Sequence, residues 1–349
     1  MSRIARLQTD IHDGEAFYVS NPINIQYLCG FLGSFGSVLI SKHDAVLFTD
    51  SRYGETARRD SRDVTVNDDG HTLPPSDYLA GISAINYERD FVTVATLDKM
   101  KTALPAIQWK GQSGLVEKQR IIKDHDEVAL IRQAGAISTA ALTATIAQIH
   151  AGQSERYVQR LLENTMLDLG ADSIAFESIV ATGANSAIPH HSPTDQIIQT
   201  GDFLKIDFGA QVGGYKSDCT RTFVIGEPAD WQRELHEAVR TAQSSGRAAL
   251  KSGAVLNDIN SITRQSITRP DFSATFQHGL GHGVGLAIHE DPFFSAHATA
   301  KIEAGMVITI EPGIYLAGRG GVRIEDTLFV TPTGYENLTE FSYDLISLG

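Results

Sequence analysis

Residues 203–226 read FLKIDFGAQVGGYKSDCTRTFVIG, and this stretch carries the strongest local signal in the chain. A Gly-Gly pair at 213–214 stands between two runs rich in apolar residues, which predicts a hairpin with a two-residue turn. In such a turn the flanking residues Val212 and Tyr215 face each other. Because the turn sets the pairing of both strands, the register of the whole hairpin can be predicted from it.

Two aspartates lie on this predicted hairpin. In the predicted register Asp207 faces Thr220, and Asp218 lies diagonally from Asp207 on the same face. Such diagonal neighbours are about 7–8 Å apart at Cα. Two carboxylates so close repel each other unless a cation lies between them, and an aspartate within an apolar strand is costly without compensation. The alternative is a pair of ordinary strand-end acids with solvent or lysine partners.

Two glutamates occur in similar surroundings further along the chain. Glu311 ends the apolar run 306–310 and precedes a Pro-Gly pair that breaks the strand. Glu325 lies within a second β-rich run, residues 322–331. The glycine-rich turn between the runs has an ambiguous length, so the sequence leaves open which side chains face each other. Taken alone, each glutamate could also be a surface or salt-bridged residue.

A glycine-rich segment lies between these two pairs of acids. Residues 276–292 read FQHGLGHGVGLAIHEDP and include His278, His282 and His289 with four glycines among them. That much glycine argues against a helix and predicts a tight, irregular backbone around a site. His190 and His191 precede the hairpin and could be solvent-exposed loop residues. Four carboxylates with one imidazole favour a hard cation, Mn²⁺ above Co²⁺ or Zn²⁺.

The elements around these residues predict two α/β domains. Residues 1–118 alternate short strands with helices, and residues 125–349 form a second domain after a charged connector. Ser154 is a predicted helix N-cap and Gly170 the matching stop. Further helices are predicted at 128–142, 231–250 and 255–267, with Ser51–Arg59 and 98–104 in the first domain. Strands are predicted at 36–40, 45–49, 91–94, 203–208, 215–225, 306–310 and 322–331.

Composition narrows the class of protein. The net charge of −13 makes a nucleic-acid binder improbable, and two cysteines are too few for a disulfide framework. No stretch reaches the roughly 18 apolar residues that a membrane span needs. The first residues mix charges of both signs without an apolar core, so no signal peptide is predicted and a cytoplasmic location is expected.

Six short segments then suggest a family: residues 206–208, 217–222, 278–282, 289–290, 310–313 and 323–326. Together they resemble the pita-bread metallopeptidases, and among these the proline-specific Xaa-Pro dipeptidase (prolidase) and aminopeptidase P. The first domain resembles the creatinase-like N-terminal domain of this family more weakly. The resemblance implies a two-domain α/β protein whose catalytic domain has the α+β pita-bread fold, and commonly a homodimer.

The resemblance also implies roles for individual residues. Two divalent metal ions, Mn²⁺ most of all, would be held by Asp207, Asp218, His282, Glu311 and Glu325. The metals would activate a shared water as the attacking hydroxide. Glu311 would relay its proton, and His289 would bind the scissile carbonyl. His190 and His278 would line the proline side of the cleft. Arg323 would orient a substrate carboxylate or the ligand shell, with Tyr315 as a further cleft residue.

Several relatives of this fold remain as alternatives. The closest is aminopeptidase P, which cleaves the same bond in longer peptides, whereas resemblance to short bacterial members favours the dipeptidase. Methionine aminopeptidase usually lacks so large an N-terminal domain, and creatinase does not keep the metal ligands. A non-catalytic peptide- or protein-binding module of the same fold typically loses ligands, and all five are present in this chain.

Overall fold

The computed structural model describes residues 1–349. The chain divides into two compact units, residues 1–120 and residues 121–349. None of its helices combines the length and apolar character that a membrane-spanning helix requires.

The first unit is a six-stranded sheet with helices. The sheet has the order β4-β3-β2-β1-β5-β6 and is mixed, because β1 pairs antiparallel with β2 but parallel with β5. The predicted pairing of β2 with β3 is confirmed. The strand predicted at 91–94 is wrong, because Thr93 caps a helix that begins at Val94. The elements are α1 Arg3–Gln8, β1 Glu15–Val19, α2 Pro22–Cys29, β2 Ser37–Ser41, β3 Ala45–Phe48, α3 Gly54–Asp60, β4 Thr65–Asn67, β5 Ala84–Glu88, α4 Val94–Ala103, β6 Gln108–Gln112 and α5 Glu117–Arg120.

Five helices belong to the second unit. Asp124 and Glu127 form a capping box at the start of the first, and Ser154 caps the second as predicted. The helices are α6 His125–Ile146, α7 Glu155–Asp168, α8 Asp230–Ala249, α9 Leu256–Gln265 and α10 Pro270–Ser273. Two apolar cores form on these helices. In the first core, α6 and α7 pack against the hairpin that contains Asp207. In the second core, α8 and α9 pack against the strands near Glu311.

The strands of the second unit are short and interrupted. They form a four-stranded sheet β20-β12-β9-β8, a five-stranded sheet β14-β13-β15-β18-β19 and two smaller sheets, β11-β10-β7 and β16-β17. The strands are β7 Ser173–Ile174, β8 Ile179–Thr182, β9 Phe203–Phe208, β10 Ala210–Val212, β11 Tyr215–Lys216, β12 Cys219–Ile225, β13 His282–Gly283, β14 Glu290–Phe293, β15 Val307–Ile310, β16 Gly313–Leu316, β17 Gly320–Arg323, β18 Asp326–Val330, β19 Tyr335–Asn337 and β20 Ser347–Leu348.

The predicted hairpin register is confirmed. Val212 pairs with Tyr215, Asp207 pairs with Thr220, and both turn glycines have positive φ, 58° and 86°. The strand predicted at 215–225 is interrupted, however, and Asp218 lies in the break between β11 and β12. There its N–H donates to Thr327 Oγ1, and that hydroxyl donates to the Asp218 carbonyl oxygen. The side chain of Thr327, from the five-stranded sheet, therefore replaces the strand-to-strand backbone hydrogen bonds at this point.

The strand predicted at 322–331 is also interrupted. β17 ends at Arg323 and β18 begins at Asp326, so Glu325 lies in the break. Its N–H donates to the Thr220 carbonyl oxygen across an isolated antiparallel bridge. Both acid-bearing breaks are thus joined to the opposite sheet, and this brings the acids of the two sheets to one place.

Candidate metal centre

Five side chains from two sheets line one cleft of about 330 Å³. Asp207 comes from β9 and Asp218 from the break before β12. His282 begins β13, Glu311 follows β15, and Glu325 lies between β17 and β18. Each predicted ligand thus lies in a strand break, as Asp218 and Glu325 do, or within one residue of a strand end, as Asp207, His282 and Glu311 do. The site is assembled by sheet pairing rather than by local sequence.

Three of these residues are close enough to share one ion. The candidate ligand atoms of Asp218, His282 and Glu325 all lie within 4.8 Å of one another. His282 Nε2 is 3.6 Å from Asp218 Oδ2 and 3.5 Å from Glu311 Oε1. Donor atoms bound at about 2.1 Å to a single ion lie roughly 3–3.5 Å apart. The two distances from His282 Nε2 are close to this spacing, so the group suits a metal ion.

The tautomer of His282 supports this arrangement. Its Nδ1 lies 3.0 Å from the carbonyl oxygen of Gly283, which can only accept, so Nδ1 carries the proton. Burial lowers the pKa of His282 to about 4, and the neutral ring then presents the Nε2 lone pair to the two carboxylates. A lone pair facing carboxylate oxygens is repulsive until a cation lies between them.

The acids of the cluster are also destabilised without a cation. Burial, followed by the charge of Glu325, raises the pKa of Asp218 well above its usual range. Burial and the charge of Glu311 do the same for Glu325. Burial raises the pKa of Glu311 to about 8. Asp207 Oδ1 is buried and has no hydrogen-bond partner. An acceptor left unpaired among like charges fits a divalent cation, so these residues fit the group that the sequence predicts.

Arg323 is bound entirely by protein groups. Its Nη2 donates to Asp207 Oδ2, its Nη1 to the Tyr315 hydroxyl at 2.9 Å and to the Pro189 carbonyl oxygen at 3.2 Å, and its Nε to Thr220 Oγ1 at 3.1 Å. Burial acts to lower the pKa of Arg323, but the nearby Tyr315 and the acids outweigh burial and raise it. Of the two roles predicted for Arg323, these contacts correspond to orienting the ligand shell.

The histidines predicted for the cleft differ in how they are held. His278 Nε2 is 2.9 Å from the Tyr315 hydroxyl, and burial lowers the pKa of His278 to about 4. The His289 ring packs edge-on against His282, with centroids 4.4 Å apart. His190 lines the cleft, but its ring makes no hydrogen bond to protein. The remaining wall is apolar: Phe176, Ile179, Ile288, Phe293 and Phe294.

His191 has a structural partner that the sequence did not reveal. Its Nε2 lies 2.8 Å from Glu155, a fully buried residue at the start of α7. The same carboxylate accepts from the backbone N–H groups of Thr182 and Thr194 and from the side chains of Asn185 and Thr194. Burial acts to raise the pKa of Glu155, but these hydrogen bonds outweigh it and the pKa is lowered. Glu155 thus holds the loop that carries His190.

Two further buried basic side chains were not predicted. Lys205 lies on β9, two residues before Asp207, and has no exposed surface. Arg221 donates to Asp326 Oδ1 at 2.7 Å and to the Glu325 carbonyl oxygen at 2.6 Å, which braces the strand break that carries Glu325. The only available signal was a charged residue inside an apolar strand, and it did not identify the partners.

Comparison with known proteins identifies the family. Residues 129–332 match the model of metallopeptidase family M24, and residues 3–122 match that of the creatinase/prolidase N-terminal domain. The chain belongs to metallopeptidase family M24. Members of this family are dinuclear metal enzymes, and the two-domain fold is that of the pita-bread peptidases.

Individual relatives of this M24 protein cover nearly its whole length. An Xaa-Pro dipeptidase of Pyrococcus furiosus is 35% identical over 94% of both chains. The structure of an Xaa-Pro dipeptidase from Bacillus anthracis is 37% identical, with a TM-score of 0.94 over 99% of both chains. The structure of an X-Pro aminopeptidase from Thermotoga maritima is 34% identical, with a TM-score of 0.91 over 98% of this chain and 100% of that one.

Proposed function

We propose that this chain is a metal-dependent Xaa-Pro dipeptidase, a hydrolase of the bond between any first residue and proline. The observation that carries the proposal is the buried cluster of acids around His282 at the floor of an apolar cleft. Relatives and solved structures named Xaa-Pro dipeptidase, similar over the whole chain, support the substrate. The proline ring has no N–H to satisfy, and a wall of phenylalanines and histidines suits it.

Five side chains would hold the metal pair. Asp207 and Asp218 would bind one ion, His282 and Glu311 the other, and Asp218 and Glu325 would bridge them. When bound, the pair supplies Lewis acidity, which polarises a carbonyl and makes water a stronger acid. The four carboxylates and single imidazole suit Mn²⁺, with Co²⁺ or Zn²⁺ as alternatives.

The remaining cleft residues have separate tasks. The Glu311 side chain is 18% exposed, against 6% for Asp218, so it is the acid that can exchange a proton with the cleft. It takes the proton of the attacking water and passes it to the leaving prolyl nitrogen. His289 donates to the scissile carbonyl oxygen. His190 and His278 contact the proline side of the substrate, and Arg323 keeps Asp207 in place.

The hydrogen bonds that Arg323 makes to protein groups favour a second candidate function, that of an aminopeptidase P. A dipeptidase must accommodate a free carboxylate directly after proline, and neither a lysine nor another arginine lines the cleft. Four of the five N–H groups of Arg323 donate to protein groups, so no pair of donors is left for a carboxylate. A substrate that continues beyond proline would need no such cation. The likeness to the Thermotoga maritima aminopeptidase also supports this candidate.

Further properties belong to the same proposal. Residues 1–118 form a non-catalytic creatinase-like domain, and residues 125–349 form the catalytic domain. The active molecule is a homodimer, as the resemblance of the sequence implies, and it acts in the cytoplasm. Its substrates are small peptides with proline second, and neither nucleic acid nor membrane is a partner.

Cleavage of matched peptides tests the proposal. The purified chain is stripped of metal, reloaded with Mn²⁺ and incubated with Ala-Pro, Ala-Pro-Ala and Ala-Ala, and released amino acids are separated by chromatography. Release of proline from Ala-Pro alone supports the dipeptidase. Release of N-terminal alanine from Ala-Pro-Ala supports the aminopeptidase. Metal-dependent cleavage of neither proline peptide, with metal bound, rejects the proline specificity.

A further inference from the structure

The position of His190 depends on its backbone rather than on its side chain. His278 is held through its ring by the Tyr315 hydroxyl, whereas the His190 ring has no hydrogen bond to protein. After Ile188, the next backbone N–H with a hydrogen bond is that of Thr194, which donates to Glu155 on α7. A free ring on an irregular segment stays in place only if the segment itself is anchored.

Lys205 provides such an anchor. Its Nζ donates to the carbonyl oxygen of Ile188 at 2.6 Å and to that of Pro189 at 3.3 Å, directly before His190. Arg323 donates to the same Pro189 oxygen at 3.2 Å. Lysine is almost never fully buried unless it is paired, yet Lys205 has no exposed surface and its hydrogen bonds go to this loop.

The strand position of Lys205 connects the loop to the metal centre. Lys205 and Asp207 are two residues apart on β9, so their side chains leave the same face of the strand. A rigid strand therefore carries both a predicted metal ligand and the anchor of the loop that bears His190. The distance between the metal centre and His190 is set along this path.

We propose that Lys205 is a positioning residue, which holds the His190 imidazole at the substrate side of the cleft through the carbonyl groups of Ile188 and Pro189. The proposal rests on the proposed function, because it takes His190 to contact the substrate. Lys205 itself does not line the cleft.

Arg264 offers a matched control within the same unit. Its guanidinium donates to the carbonyl oxygens of Phe276 and His278, so it anchors the segment of a different cleft histidine. Loss of Arg264 should therefore disturb His278 and leave His190 in place. Each of the two basic side chains donates to two backbone carbonyl oxygens, and they differ in which cleft histidine lies on the segment that they bind.

A double-mutant cycle tests the proposal on the metal-loaded chain with Ala-Pro, or with Ala-Pro-Ala if that is the peptide cleaved. We expect Lys205→Met to lower kcat/KM about 10-fold or more in the wild-type background but by less than about 3-fold in a His190→Ala background, because the two changes remove one function. Arg264→Met should lower kcat/KM by the same factor in both backgrounds. Equal losses from Lys205→Met in both backgrounds, with unchanged metal content, overturn the proposal.

A second readout does not depend on activity. In metal-free protein labelled with ¹⁵N-histidine, the ring signals of His190 are assigned by their absence in His190→Ala. They should shift or broaden in Lys205→Met and stay unchanged in Arg264→Met, and unchanged signals in Lys205→Met overturn the proposal. If Lys205→Met does not fold, Lys205→Gln, which keeps an N–H donor, takes its place. An inactive wild-type chain would reject the proposed function while these signals still decide the role of Lys205.

Discussion

At the scale of single residues, the cleft contains more negative charge than its own protein groups neutralise. Arg323 is the only cation that binds a predicted ligand directly, and it pairs with Asp207. Glu325 has a hydroxyl donor in Thr220 at 2.6 Å, which orients one oxygen without supplying charge. Because of this residual negative charge, we expect the loss of one acid to weaken metal binding before it affects other properties.

Replacing a bridging acid tests this expectation. Glu325→Gln keeps the size of the side chain but removes a charged ligand, so the metal content per chain should fall and kcat/KM should fall about 100-fold or more. Metal content is measured by mass spectrometry after gel filtration in metal-free buffer. Glu340→Gln, at an exposed position of the same unit, is the control and should keep both values. Full metal content in Glu325→Gln would contradict the assignment of this ligand.

A buried ion pair close to the site has a different role. Arg221 and Asp326 are both almost without solvent exposure, and Gln243 and Tyr343 donate to the second Asp326 oxygen. Arg221→Met would leave a buried carboxylate without its cation, and we expect the free energy of unfolding to fall by about 3–5 kcal/mol. Urea denaturation measures this free energy of unfolding. As a control, Arg240→Met removes an exposed ion pair with Glu237 and should change the free energy of unfolding by less than about 1 kcal/mol.

At the scale of elements, close backbone packing places the imidazole of His282, the predicted metal ligand. The short strand that begins at His282 lies against β14 on one side and β15 on the other. The His282 N–H donates to Thr309 Oγ1 at 3.1 Å. A β-carbon at Gly281 would collide with the carbonyl oxygen of Thr309. The glycines of this segment are therefore needed for the approach of backbone to backbone.

A single methyl group at this point should displace the ligand. Gly281→Ala forces His282 away from β15, so we expect weaker metal binding and a lower Tm, by several degrees at least. Calorimetry with and without Mn²⁺ measures both effects. Gly334→Ala is the control, because a β-carbon at Gly334 has open space around it and its φ is not positive. A Tm equal to that of wild type in Gly281→Ala would mean that the strand can shift without cost.

At the scale of the whole molecule, stability also depends on groups that do not line the cleft. His236 lies on the buried face of α8, and burial lowers its pKa from 6.5 to about 4. The unfolded chain therefore binds a proton between pH 6.5 and 4 that the folded chain does not bind. Stability rises with pH wherever the unfolded state binds more protons, so this group destabilises the fold as pH falls through that window.

Replacement of His236 should remove this dependence. The lowered pKa corresponds to a loss of about 3 kcal/mol between pH 6.5 and pH 4. Metal-free wild type and His236→Gln are unfolded with urea at several pH values. Subtracting one free energy of unfolding from the other cancels contributions common to both chains. This difference in free energy of unfolding should shrink as pH falls below 6.5, because only wild type has the buried imidazole to protonate. A constant difference would show that His236 takes up its proton equally well in the folded chain, which would contradict the lowered pKa.

The sequence alone determined the local geometry of this protein and the chemistry of its site. The Gly-Gly turn set the register of Asp207 against Thr220, because only glycine readily supplies two positive φ angles in a two-residue turn. Ser154 correctly predicted the start of α7, because an N-cap interaction involves only the first turn of the helix that follows it. The acids and histidines were recognised as residue types, independently of where they lie.

Tertiary structure decided which of these groups meet and what holds them. The breaks at Asp218 and Glu325 arise from contacts about a hundred residues apart in the chain, such as Thr220 with Glu325. Glu155 and Lys205 bind the loop that carries His190, and the position of this loop depends on the packing of α7 and β9. Periodicity reports which face of an element is buried, but it does not report which distant element covers that face. The environment of each buried charge was therefore set by the fold.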